Sequence, residues 1–130
     1  MNEFTVKEEV FALTEVMKSK FTAFVIPLKS LDTFKTRLEE IKKANPKARH
    51  VVYAYRFETN RKSNDDGEPR GTAGRPILDL LHKKSLNNTA IIVVRYYGGV
   101  QLGAGRLLRT YLNSAINVIN ECELIEIGGK

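Results

Sequence analysis

The chain has 130 residues, 42% of them hydrophobic and 28% charged, which fits one soluble globular domain long enough to bury a core without disulfides or metal. Its single cysteine, Cys122, excludes an internal disulfide and points to a reducing compartment, the cytoplasm. No apolar run approaches the ~20 residues of a membrane helix, MNEFTVKEEV has no signal-peptide core, and a formal net charge of +6 favours a polyanionic partner.

Residues 2–6 form a short first strand, and 7–19 show no clean period. KFTAFVIPL at 20–28 is rich in strand formers, with Phe21, Ala23 and Val25 alternating. Pro27 near its end marks an edge or a terminus. Ser30 then caps a helix carrying Leu31, Phe34, Leu38 and Ile41, which stops near Ala44 because Asn45 precedes Pro46. HVVYAYRF at 50–57 is a strand with Val51, Tyr53, Tyr55 and Phe57 on one face.

Residues 58–74 read as the longest irregular region, and a loop of that length is usually functional or mobile. Asp65, Asp66, Gly67, Glu68, Arg70, Gly71, Thr72 and Gly74 form its acidic, glycine-rich core. The acids match no calcium-loop spacing and have Lys62 and Arg70 beside them, so a solvated turn fits better than a metal site. Thr72 is placed to cap a helix starting near Arg75-Pro76, with Ile77, Leu78, Leu80 and Leu81 on its apolar face. His82 lies at the basic end of that helix and reads as a surface residue.

The run Ala90–Val94 is a buried central strand ending in Arg95-Tyr96-Tyr97-Gly98-Gly99. Gly103 and Gly105 then open a helix carrying Leu107, Leu108, Tyr111, Leu112, Ala115, Ile116 and Ile119. A strand, a glycine-rich connection and a helix start favour anions, and Arg95, Arg106 and Arg109 add positive charge. The glycine order fits neither the dinucleotide fingerprint nor the nucleotide P-loop, and the histidines and Cys122 lack metal-ligand spacing. No cofactor and no metal are therefore expected. From Leu80 to Asn120 there is no acidic residue. CELIEI at 122–127 alternates as a last strand, and the GGK end reads as frayed. The strands and helices together predict an α+β two-layer sandwich, a mixed sheet with helices on one face.

Several stretches carry a family resemblance. These are KSKF at 18–21, HVVYAY at 50–55, DDGEPRGTAGRPIL at 65–78 and GRLLRTY at 105–111. Between Gly74 and Gly103 a longer pattern runs through Ile77-Leu78, Leu81, Leu86, Ile92-Val93, Arg95, Tyr96-Tyr97, Gly98-Gly99 and Leu102. Together they resemble the IMPACT N-terminal domain family, the YigZ-like proteins. The resemblance implies a fold like the second domain of a small-subunit ribosomal protein. It also implies a link to translational control, since eukaryotic members bind an activator of the amino-acid-starvation kinase.

Two positions depart from the family: Arg106 stands where a second glycine is frequent, and Val51-Val52 where a polar residue and a cysteine are frequent. Bacterial members usually continue into a ferredoxin-like domain, so residues 1–130 read as a single IMPACT N-terminal-like domain without it, naturally short or excised.

Three functions stay open at this point. The first is a regulatory module contacting RNA or a ribosome-associated protein through Arg95, Gly98, Gly99, Gly103, Gly105, Arg106 and Arg109. The second is a small enzyme on a phosphorylated substrate, with Asp65, Asp66 or Glu68 as acid or base and Arg70 and Arg95 on phosphate. It lacks a nucleophile–base pair. The third is a protein-binding domain using Tyr96 and Tyr97. The acidic loop is expected to pack beside the Arg95–Gly99 turn, because a partly buried arginine requires a carboxylate.

Overall fold

The computed structural model describes residues 2–129. In chain order they form β1 (Asn2–Val6), β2 (Val10–Val16), β3 (Ser19–Pro27), α1 (Leu31–Ala44), β4 (His50–Phe57), β5 (Asn60–Asn64), α2 (Gly74–Lys83), β6 (Thr89–Tyr96), α3 (Ala104–Asn120) and β7 (Leu124–Gly129). A five-stranded sheet runs in the order β2-β3-β6-β4-β5, and β1 pairs β7 in a separate ribbon. The fold is α+β.

All ladders are antiparallel, and one isolated parallel bridge joins Phe4 to Leu86. The sheet is therefore not mixed, and the helices do not share a face. Alternation along β3, β4 and β6 sends Phe21, Ala23, Val25, Val52, Ala54, Ile91 and Val93 to the side of α2 and α3. It sends Ile26, Val51, Tyr53, Ala90, Ile92 and Val94 to the side of α1, whose Phe34 and Ile41 complete a second core. Phe34 lies 4.9 Å from the Tyr53 ring and 4.7 Å from that of Tyr55. β6 is buried on both faces, and so its sequence runs apolar without alternating.

Several local rules hold. Ser30 Oγ accepts the Thr33 N–H at 3.2 Å, and α1 ends at Ala44 with Asn45 as its C-cap. Pro27 ends an interior strand, where it removes no ladder bond within the sheet. Two strands lack the usual sequence signature. β2 carries apolar residues on both faces, with Phe11 and Leu13 exposed, which blurs its period. β5 is NRKSN, a polar edge strand inside what reads as a long loop; charge on an edge deters pairing with other chains. At the C-terminus Gly128 and Gly129 pair with Glu3 and Asn2, so the ribbon holds them rather than letting them fray. Lys130 lies outside the described residues.

Candidate anion-binding cleft at one end of the sheet

Antiparallel pairing sets the start of β4 and the start of β3 beside the end of β6. His50 is opposite Arg95, and Lys20 is opposite Tyr96. The acidic loop crosses this end, and α3 begins there. Between them lies a cleft of about 340 Å³ lined by Arg49, His50, Gly67, Glu68, Pro69, Arg95, Tyr97, Gln101, Leu102, Gly103, Ala104 and Leu107.

The acidic loop is built by its own carboxylates. Asp65 Oδ1 accepts from the Gly74 N–H at 2.9 Å and the Ala73 N–H at 3.2 Å, while Oδ2 accepts from Gly71 at 2.9 Å. Asp65, not Thr72, thus satisfies the first turn of α2, where a negative charge suits the dipole. Thr72 is buried and donates its hydroxyl to the Pro69 carbonyl at 2.5 Å, and α2 starts at Gly74, ahead of Arg75-Pro76. Asp66 Oδ2 accepts the Val51 N–H at 2.7 Å, and its carbonyl accepts from His50 Nδ1 at 2.6 Å. These bonds tie the loop to β4. Asp65→Ala removes three acceptor contacts at once. It should cost about 2–3 kcal/mol in chemical unfolding, with α2's first turn losing amide-exchange protection.

Glu68 is the carboxylate that meets the arginine. Its side chain is 3% exposed and that of Arg95 is 5%, with Nη1 donating to Oε2 at 2.7 Å. The Tyr111 hydroxyl donates to the same oxygen, and His50 Nε2 lies 3.4 Å from Oε1. Burial, reinforced by the Glu68 hydrogen bond, raises the Tyr111 phenol well above its ordinary range and keeps it a donor. Ser19 Oγ accepts from the Gly98 N–H at 3.2 Å and sits 3.4 Å from Arg95 Nη2, joining β3 to the glycine turn. The acidic loop and the Arg95–Gly99 turn are thereby packed together, as the arginine's need for a partner predicts.

The candidate residues divide by place. Arg95, Gly67, Glu68, Tyr97 and Gly103 line the cleft. Gly98 lies against the β2–β3 turn, where an added Cβ would sit 2.1 Å from the Lys18 carbonyl carbon. Gly99 at φ 90° and Gly103 at φ 78° hold left-handed conformations in open space. Gly105, Arg106 and Arg109 are exposed on α3 outside the cleft, with Arg106 Nη1 against Met17 Sδ. Arg70 is exposed, and Gly71 borders a different groove between α2 and α3. Tyr96 and Tyr97 diverge: Tyr96 donates to Asn45 Oδ1 at 2.7 Å on the α1 side, and Tyr97 faces the cleft.

Two cleft residues carry no sequence signal, Arg49 and His50. The Arg49 guanidinium stacks 4.6 Å from the Tyr97 ring centre, with Arg95 5.7 Å from the same ring. Only the pairing of β4 with β6 brings them there. Among the described residues no group of three or more His, Cys, Asp or Glu side chains is placed to hold a metal ion. Cys122 is half-buried, and burial pushes its thiol up to about 11, away from reactivity. No helix among the described residues is long and apolar enough to cross a membrane.

Fold and cleft define an α+β domain with a glycine-bounded, arginine-bearing cleft at one end of its sheet. The chain belongs to the IMPACT family: the Impact N-terminal domain model matches residues 17–119. It is 38% identical over 126 residues to the IMPACT family member YvyE of Bacillus subtilis, covering 95% of this chain and 58% of that relative. The chain thus spans little more than half the length of that relative. A crystal structure described as a hypothetical protein superposes with a TM-score of 0.92 at 27% identity, covering 97% of this chain and 64% of the other. The two-domain translational regulator Yih1 shares the fold with a TM-score of 0.50 at 21% identity, covering 91% of this chain and 46% of the other.

Proposed function

We propose that the chain is a regulatory binding module of the translation machinery that holds RNA phosphates on the cationic end of its sheet. One observation carries this reading. Lys18, Lys20, Arg49, Arg106 and Arg109 are all exposed, and they reach this end from the β2–β3 hairpin, the start of β4 and α3. Glu68, the acid that lines the cleft, is paired with Arg95. A cluster of exposed cations attracts polyanions by releasing counterions. The link to translation rests on the family, whose fold is shared by the translational regulator Yih1. The enzyme alternative has less support, because fixed donors already engage Asp65, Asp66 and Glu68.

Arg106→Ala and Arg109→Ala together should weaken RNA binding across sequences. They should also flatten the dependence of log K on log salt by about one unit per lost contact. Folding should be unaffected, as both side chains lie outside the apolar face of α3. Affinity and salt slope unchanged in the double variant would reject the RNA reading. Attention would then move to a ribosome-associated protein contacting Tyr97.

A further inference from the structure

α3 is apolar over more of its circumference than its core contact uses. Leu107, Tyr111, Ala115, Val118 and Ile119 are buried in the core shared with the sheet. Leu108, Leu112 and Ile116, at i, i+4 and i+8, form a second stripe beside them. Leu108 is 38% exposed, and the other two are half-buried. Packing on one surface needs a stripe of ~100°, and the two stripes together cover nearly twice that. The second stripe opens on the groove between α2 and α3, about 390 Å³ in volume, with Pro76 and Leu80 on the opposite bank.

The banks of this groove carry cations. Lys83 lines it from α2 and is exposed. Arg109 is exposed on α3, three residues before Leu112 and seven before Ile116, a spacing that puts it on their face. Its Nη1 reaches back to 3.5 Å from the Cβ position of Gly105. Asp79 is the acid that lines the groove, and Arg75 Nε donates to its Oδ1 at 3.0 Å. α3 itself has no acidic residue along its length.

We infer that this groove docks an acidic amphipathic helix from a partner protein. Leu108 to Ile116 spans about 12 Å, a little over two turns, which matches apolar anchors at i, i+3 or i+4 and i+7 of a second helix. Acidic side chains flanking those anchors meet Lys83 on one bank and Arg109 on the other. Such complementarity selects the partner and speeds its encounter more than it adds affinity. A basic helix would set like charges against both banks. A second copy of the chain, docking by its own α3, would bring the two Arg109 side chains together. RNA fits the floor poorly, because bases stack on aromatic rings and none of the described residues lining the groove is aromatic. Neither Lys83, Leu108 nor Leu112 lines the cleft, so the inference stands apart from the phosphate-binding reading.

The test is an unbiased selection on the full chain from displayed random peptides of about 16 residues, a little over four helical turns. Enriched sequences should carry large apolar residues at i, i+3 or i+4 and i+7 with Asp or Glu flanking them. Synthetic copies should become helical on binding. Leu108→Ser should weaken them about tenfold and Lys83→Glu about threefold. A copy with lysines in place of its acids should bind the Lys83→Glu variant better than the parent chain. Both positions are exposed, and melting temperatures check that the variants fold. No enrichment, enrichment of basic or non-helical peptides, or binding that survives both substitutions overturns the inference. Two further results overturn it by naming another occupant. A dimer that Leu108→Ser dissolves in sedimentation gives the groove to a second copy, and RNA affinity lost in Leu108→Ser gives it to RNA. RNA binding that Leu108→Ser leaves intact, with no peptide selected, overturns this inference alone. Peptide binding without any RNA binding removes only the phosphate reading.

Discussion

Glu68→Ala should lose about 3–5 kcal/mol in equilibrium urea unfolding, a large part of a small domain's stability. The loss comes less from the ion pair's attraction than from what is left behind. Arg95 is 4% exposed and already has an unpartnered Nε. Without Glu68 its bond to a carboxylate disappears, leaving the Ser19 hydroxyl as its hydrogen-bond partner, and the Tyr111 hydroxyl loses its acceptor in the same core. Glu68→Gln should cost less, since an amide oxygen can still accept from Tyr111. Glu68→Leu combined with Arg95→Met should recover much of the loss, because apolar replacement of both partners leaves no orphaned charge. A cost below ~1 kcal/mol for Glu68→Ala would show that this pair is no more than a surface-like contact.

Gly98→Ala should be the most damaging change among the glycines of this end. An added Cβ would lie 2.1 Å from the Lys18 carbonyl carbon, 2.2 Å from its oxygen and 2.5 Å from the Ser19 nitrogen. All three are backbone atoms, so no side chain can swing aside. The Arg95–Gly99 turn must lift off the β2–β3 hairpin and lose the Gly98 N–H bond to Ser19. The expected destabilisation is at or above the top of the ~1–3 kcal/mol typical of overpacking. Thermal melting measures it, and amide exchange at Ser19 and Gly98 shows where it falls. Gly99→Ala is the control: its Cβ enters open space, so only the positive φ is penalised, about 1 kcal/mol. Equal effects of the two substitutions would reject the close-packing account.

Much of the fold is legible residue by residue. The cap at Ser30, the stop before Pro46, the alternation of His50–Phe57 and the apolar run before Arg95 each follow from local rules, and each element forms where those rules place it. The two strands without a signature are edge strands. β2 and β5 have one paired neighbour each, so their sequences answer to solvent and to the need to deter pairing with other chains more than to burial. The helix-face error has a similar cause. The apolar stripe Leu31, Phe34, Leu38 and Ile41 says that α1 must be covered, not by which side of the sheet.

Residue chemistry alone called for a carboxylate of the acidic loop beside Arg95 or Arg70, and for glycines bounding a helix start that carries positive charge. Those conclusions need only desolvation cost and backbone conformational freedom, which are properties of single residues. Which arginine and which acid pair, and what else shares the cleft, depends on how the elements pack. Glu68 rather than Asp65 or Asp66 meets Arg95, because backbone N–H groups already hold the two aspartates. Arg49 and His50 join the site through the register of β4 on β6, and Tyr111 through the packing of α3. Contacts between residues distant along the chain depend on how sheets and helices stack, and no local pattern encodes that distance.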